Sequence, residues 1–428
     1  MTAALTVFFL FALASLPIAM VMIVAGLTGA VTIGGIDYLE IIADRFYAGV
    51  SGFVLISVPY FIFTAELMNR AGLTDRLVAF SNSLFGRVPG ALSHVNVTVS
   101  VFFAGITGAA VTDTVAIGKT LIPAMKKERY DADYSAAVTA CSSIIGPIIP
   151  PSIIMIVYAA TLRNVSIIGL FAAGLVPGLM MAVALLGASG WISWRRGYAS
   201  HQRIVLAVIW QTGLRAVAAI FIPVIILGGI LAGLTTVTEA AALGCAYTLA
   251  LGVIGYRSLG WDDIKEALVS TVSFSGVVFF LLGASTILGW FVTRSGIARE
   301  AAEAITLIST DPVIQILAVN VLLIGLGMFI DVLPAIVVAA PVIAPALIQL
   351  GFHPLHVGMV MLLALNLGNI TPPVGMTLMT AARIAGVTYE AAIKQSLPFL
   401  VSHLFVIIIV SLNPDLVLWF PRLIGAIR

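Results

Sequence analysis

Apolar runs long enough to cross a bilayer recur from one end of this chain to the other, and they leave little choice of fold. A spanning helix needs about 20 apolar residues, and an open sheet cannot cross because its edge groups would meet lipid. The runs lie near 4–33, 52–68, 134–160, 167–194, 215–233, 236–256, 269–290, 356–382 and 397–420. The first has room for one tilted helix or a broken pair. Amphipathic pieces suited to the interface lie between them, at Asp37–Tyr47, Thr74–Phe85 and His201–Leu214. Composition agrees: 61% of the 428 residues are hydrophobic and 9% charged, where a soluble domain carries about 25% charged residues. The chain therefore reads as an all-α polytopic membrane protein, which excludes most cytosolic enzymes, nucleic-acid binders and secreted disulfide scaffolds. Its net charge of +2 argues for no acidic partner. Cys141 and Cys245 sit in apolar runs and read as buried thiols. No basic segment precedes the first run, so residues 1–34 read as membrane segment and not as a cleaved signal.

Two more apolar stretches, about 88–125 and 312–350, are broken midway by Gly and polar residues and read either as one helix followed by a hairpin or as a re-entrant hairpin. They belong to a repeat. Gly146-Pro147-Ile148-Ile149-Pro150-Pro151-Ser152 resembles Gly368-Asn369-Ile370-Thr371-Pro372-Pro373-Val374, 222 residues later. Gly105 and Gly327, Pro123 and Pro345, and Ala159-Ala160 and Ala381-Ala382 share that offset, while Arg70-Ala71-Gly72-Leu73 matches Arg294-Ser295-Gly296-Ile297 at 224. The chain thus divides into two halves, near 1–200 and 201–428. Each carries a hairpin (88–125, 312–350) and a broken helix (134–160, 356–382).

Charge orients the halves. The first hairpin ends in Lys126-Lys127-Glu128-Arg129, cytoplasmic by the positive-inside rule. Two spans later the chain returns to Arg195-Arg196, on the same side. Three further crossings deliver the second hairpin to the opposite face, where its end, Leu350–His356, has no Lys or Arg. The repeats are therefore inverted, a mark of alternating-access transporters with midplane sites on broken helices. Arg422 and Arg428 then fall outside, against the rule.

A Pro-Pro pair stops a helix, and adjacent Gly permits the turn. In a bilayer such a break is tolerated where it lines a cavity or is buried in protein. Its freed carbonyls suit a hard cation such as Na⁺, and half-helix N-termini suit an anion. The hairpin tips, Phe103–Ala109 and Gly325–Asp331, carry small residues, with Asp113 and Asp331 the nearest ionisable groups. Intramembrane carboxylates are functional candidates; a helix cap or a solvated position near the interface would equally hold an Asp. Glu239, after Thr235-Thr236-Val237-Thr238, fits a helix N-terminus. His94, His201, His353, His356 and His403 form no metal-ligand spacing, and H-E-x-x-H, G-x-S-x-G and Walker A patterns are missing, so no catalytic residues are assigned. The Trp residues fall mostly near span ends, as an interfacial belt requires.

Phe103–Gly108, Ala116-Ile117-Gly118, Gly146–Ser152, Thr236–Ala240 and Ile370–Gly375 together resemble the large membrane (M) subunit of TRAP (tripartite ATP-independent periplasmic) transporters. The resemblance covers essentially the whole chain. It implies an elevator-type secondary transporter in the bacterial inner membrane, using Na⁺ and no organic cofactor to import organic acids such as C4-dicarboxylates or sialic acids. It also implies a small four-helix membrane (Q) subunit and a soluble periplasmic binding (P) protein. With the first span starting near Ala4, the small subunit is expected as a separate chain. By the family pattern, a first sodium site uses Gly105, Ile106, Thr107 and Gly108 with Gly146 and Pro147. A second uses Gly325, Gly327 and Met328 with Gly368, Thr371 and Met376, and substrate sits near Thr107, Asp331 and Asn369. The family's first tip is often Ser-Gly-Ser-like where this chain has Ile106-Thr107-Gly108-Ala109, which leaves the hydroxyl ligand open. Two other readings compete: a stand-alone ion-coupled carboxylate or anion permease, and a membrane scaffold without transport.

Overall fold

The computed structural model describes residues 2–14, 16–86, 88–162, 165–198 and 206–427, and every regular element among them is helical. The chain opens with α1 (Thr2–Leu13), α2 (Ile18–Gly34), α3 (Leu39–Val50), α4 (Ser57–Arg70) and α5 (Leu73–Leu84). The first hairpin is α6 (Ala91–Thr107) and α7 (Ala110–Lys127), and the first broken helix is α8 (Ala132–Ser143) and α9 (Ile153–Leu162). Then come α10 (Ile167–Arg196), α11 (Leu206–Leu231), α12 (Val237–Ala250, extended by a π turn), α13 (Trp261–Ser295) and α14 (Ile297–Ile308). The second hairpin is α15 (Pro312–Phe329) and α16 (Val332–Gln349), and the second broken helix is α17 (Pro354–Gly368) and α18 (Met376–Ala385). The chain closes with α19 (Tyr389–Leu412) and α20 (Pro414–Leu423). Among the described residues, seven helices are long and apolar enough to cross a membrane, or eight if α3 and the segment through α4, bent by 53°, count as one span.

The helices recur in the register of the sequence repeat. α7 and α16 share both boundaries at an offset of 222 (332 − 110), and α10 and α19 start at the same offset (389 − 167). α5 and α14 coincide at 224 (297 − 73). Both breaks carry a cis Pro-Pro bond, Pro150-Pro151 and Pro372-Pro373.

Packing crosses between the halves. α18 lies on α7 and α8, while α9 lies on α16 and α17, so each hairpin holds the far end of the other half's broken helix. α10 packs on α19. Around this assembly, α13 packs on α2, α3 and α4, α4 on α12, and α5 on α11.

Local chemistry sets the ends. Ser166 caps α10 by accepting from the Gly169 N–H at 3.1 Å. At α12, Thr236 and Glu239 form a reciprocal capping box, as the sequence placed Glu239. The first apolar run is a broken pair: α1 ends at Leu13 and Pro17 caps α2. The run 397–420 is not one span, because α19 stops at Leu412 and Asn413-Pro414 starts the short α20. Of the piece His201–Leu214, residues 201–205 lie outside the described residues, and the rest is continuous with the next span in α11. Arg422 pairs with Asp415 at 2.8 Å, which locally neutralises a charge that the positive-inside rule disfavours there.

At the Lys-rich end, a polar clasp joins the halves. Arg196 binds Asp131 at 3.0 Å and Gln395 at 2.5 Å, and Gln395 donates to Asp133 at 2.9 Å. Tyr198 donates to Asp131 at 2.7 Å, and Lys126 donates to the Ala385 carbonyl at 3.0 Å.

Candidate functional site: a cavity between two hairpin tips

Each tip is a two-residue turn. In the first, Gly108 takes φ +58°, a conformation that favours glycine, and Ala109 is extended before α7 begins. In the second, Ile330 is extended and Asp331 stands at the N-cap of α16. Gly108 and Ser152–Ile153 of the first break lie so close that a Cβ at Gly108 would come within 2.7 Å of the Ile153 nitrogen. The second tip sits tighter. A Cβ on Gly368 would lie 2.5 Å from the Ile324 carbonyl oxygen and 2.6 Å from the Gly327 backbone, and the Gly375 N–H donates to the Met328 carbonyl at 3.3 Å. Because each break lies midway along its broken helix, both hairpins turn at that depth.

The tips and breaks enclose a cavity of about 190 Å³. Gly108–Thr112 form one wall and Asp331–Leu333 another, with Ile153, Ile154, Met376 and the α13 side chain Phe274 completing it. The first turns of α7, α9, α16 and α18 all border this space. Among the described residues no side chain caps those of α7, α16 and α18, although in α18 the Thr377 N–H already donates to the Asn369 carbonyl at 3.2 Å. At roughly +0.5 charge per helix end, the four ends outweigh the single Asp331 carboxylate and favour an anion.

The predicted substrate residues divide. Asp331 lines the cavity and accepts from Asn369 Nδ2 at 2.9 Å; Asn369 is fully buried behind it and orients it, while its Oδ1 has no hydrogen-bond partner among the described residues. The side chain of Thr107 lies outside the described residues. So do those of Gly105 and Ile106, which leaves Gly108, Gly146 and Pro147 of the predicted first cation site. Gly108 touches the break, and both other residues lie within it, with the buried Asp113 carboxylate against Gly146. Ser152 Oγ donates to the Pro147 carbonyl at 2.7 Å and ties the break together. In the second set, Gly327, Met328 and Gly368 form one tip–break contact, and Met376 borders the cavity. Thr371 is hydrogen-bonded back to Leu367 at 2.7 Å, and Gly325 has open space around it. Among the described residues, buried oxygens of Thr114, Asn366, Asn369 and Thr377 lack partners. Among the described residues no group of three His, Cys, Asp or Glu converges.

Sequence reasoning missed Ile153, Ile154 and Thr112, although each follows a break or tip by a few residues and that position marks them. Phe274 comes from the middle of α13, where no local signal singles it out.

Two hairpins whose tips meet two helix breaks around one enclosed, anion-favouring cavity define a multi-pass membrane permease. Solved transporter structures share the fold: the Alcanivorax borkumensis YdaH transporter (TM-score 0.64, 13% identity, 88% of this chain and 89% of that one) and Neisseria gonorrhoeae MtrF (TM-score 0.64, 13% identity, 95% and 94%). Over residues 5–416 the chain matches the family described as "Tripartite ATP-independent periplasmic transporter, DctM component", and it belongs to that family. It is a large permease of the TRAP type, a multi-pass protein of the inner membrane. The sialic acid TRAP transporter large permease protein SiaM of Vibrio cholerae is 35% identical over 89% of each chain. The C4-dicarboxylate TRAP transporter large permease protein DctM of Pseudomonas aeruginosa is 29% identical over 94% of each. The isethionate TRAP transporter permease protein DctMQ of Oleidesulfovibrio alaskensis is 34% identical over 96% of this chain and 65% of that longer one.

Proposed function

We propose that this chain is the Na⁺-coupled permease subunit that carries an organic acid, of the C4-dicarboxylate or sialic acid type, across the inner membrane by an elevator movement. The observation that carries the reading is the cavity itself: four helix N-termini surround it, and among the described residues Asp331 is the one carboxylate facing it. An anion satisfies the helix ends, and a cation at each tip–break contact offsets the charge and orders the tip. The first ion would be held by carbonyls around Gly105–Gly108, Gly146 and Pro147, the second by Gly325, Gly327, Met328, Gly368, Thr371 and Met376, with Thr107, Asp331 and Asn369 toward the substrate. The halves 1–200 and 201–428 act as inverted repeats. Their hairpins and broken helices move as one body against a scaffold of α2–α5 and α11–α13. The names of the relatives support acidic substrates, and the longer DctMQ supports a small membrane subunit as partner. A periplasmic binding protein supplies the substrate.

The test is uptake into proteoliposomes holding this chain with its small subunit, with the binding protein and labelled organic acid outside. Uptake should require an inward Na⁺ gradient and the binding protein. Uptake that needs neither refutes the proposal, and uptake that needs Na⁺ alone assigns the chain to a stand-alone permease.

A further inference from the structure

The cavity has a neighbour that shares two of its lining residues. Val111 and Thr112 line it and also line a cleft of about 520 Å³ between hairpin 1 and the scaffold. One wall of the cleft is α7, with Thr112, Val115, Ala116, Lys119 and Thr120. The other is Glu66 and Asn69 of α4 with Thr74 and Asp75 of α5. The cleft therefore follows one face of α7 away from the tip, toward Lys126-Lys127, the end that the positive-inside rule places in the cytoplasm.

The two walls differ in what their polar groups can still do. On the scaffold side, Glu66 accepts from Ser270 at 2.8 Å and lies 3.8 Å from Arg70, and Asn69 accepts from Thr74 at 2.9 Å. Those groups are engaged, and the carboxylates of Glu66 and Asp75 repel an anion. On the hairpin side, Lys119 is exposed and is the cation that lines the cleft, and among the described residues no carboxylate lies within ion-pair distance of it. Lys119 follows Thr112 by two helical turns, about 10 Å along the axis. An anion moving out past Thr112 loses the four helix ends and meets two carboxylates, and Lys119 is the positive charge on its way.

We infer that this cleft is the inward release route for the organic anion and that Lys119 is its handover residue, holding the carboxylate between cavity and cytoplasm. The inference rests on the transport reading above. It also assigns Lys119 a part in substrate selection, since a neutral analogue gains nothing from it.

The experiment reads the cleft without needing transport. Ala116→Cys places a thiol beside Lys119, and the native Cys141 and Cys245 are buried, which keeps background labelling low. The thiol is labelled in membrane vesicles of either orientation with an anionic and with a cationic methanethiosulfonate. Labelling should occur from the cytoplasmic side, and Lys119→Gln should lower the anionic-to-cationic rate ratio about threefold or more, as loss of one nearby unit charge requires. Lys127→Gln, at the far end of α7, should leave the ratio unchanged. Labelling only from the outer side, or a ratio insensitive to Lys119→Gln, overturns the proposal. In the proteoliposome assay, Lys119→Gln should raise half-saturation for efflux from the cytoplasmic side several-fold without changing Na⁺ dependence, and Lys119→Arg should restore it. A wild-type chain that labels as expected but takes up no organic acid faults the transport reading instead.

Discussion

Alanine at Gly368 tests whether the second tip must touch its break. The Cβ it adds would stand 2.6 Å from the Cα and carbonyl carbon of Gly327 and 2.5 Å from the Ile324 carbonyl oxygen. All three are backbone atoms, so no side chain can rotate away. Ordinary carbon contacts begin near 3.4 Å, so the tip has to retreat by roughly 0.8 Å. Overpacking of this kind costs about 1–3 kcal/mol, which depletes the tip-closed state by about 5- to 150-fold. The assay is Na⁺-driven uptake in proteoliposomes, with monodispersity on size-exclusion chromatography as the folding control. Gly368→Ala should raise the Na⁺ concentration for half-maximal uptake at least fivefold while the protein remains monodisperse. Gly327→Ala meets the same interface from the other side, and the double variant should cost less than the two single costs added, because one displacement relieves both. Gly187→Ala in α10, where a Cβ meets nothing within 4 Å, should behave like wild type. Wild-type Na⁺ dependence in Gly368→Ala would refute the claim that tip–break contact controls the cation.

Other outcomes follow from single contacts. Asn369→Ala removes the 2.9 Å bond that holds Asp331 at the cavity wall. A bond to a charged group contributes about 1.5–3 kcal/mol, so substrate half-saturation in uptake should rise by about tenfold or more. Thr236→Ala breaks the α12 capping box and should cost about 1 kcal/mol of stability, seen as a lower unfolding temperature, with half-saturation unchanged. Burial, helped by its bond to Asp131, pushes the Tyr198 hydroxyl from 10.0 up to about 12. The folded chain thus keeps a proton that the unfolded chain has lost between these values, and stability falls as pH rises through that window. Thermal unfolding from pH 9 to 12 should show the fall, and Tyr198→Phe should flatten it.

Much of this architecture was legible because membranes make punctuation expensive. Gly and Pro interrupt apolar runs only where protein covers the break, so the tips at 108–109 and 330–331 and both Pro-Pro breaks stood out. The 222-residue offset then carried over to helix boundaries, as α7 and α16 demonstrate. What stayed hidden depends on packing. α14 escaped because Arg299, Glu300 and Glu303 make it look like a loop, although it is the amphipathic counterpart of α5. Phe274 reaches the cavity only because α13 packs against α9 and α16. Lys119 sits in an ordinary helix, and its meaning comes from the cleft that α4 and α5 close around it.

The repeat is faithful in backbone and unfaithful in charge. Asp331 of the second tip corresponds to Ala109 of the first (331 − 222), and Asp113 of the first hairpin corresponds to Ala335 of the second (335 − 222). The first carboxylate lines the cavity, while the second is buried against Gly146, away from it. A symmetric frame therefore gives the cavity one acidic wall and one neutral wall, and the polar clasp at Arg196 ties the two halves together at the Lys-rich end. Shared backbone geometry lets both tips close by the same contact of tip on break. Under the proposed function, the side chains set the anion's charge toward the helix ends and away from Asp331. Exchanging the two tip positions, Ala109→Asp with Asp331→Ala, should keep the fold yet abolish high-affinity uptake. If the exchanged chain instead transports with wild-type half-saturation, only the number of carboxylates in the cavity matters and their placement does not.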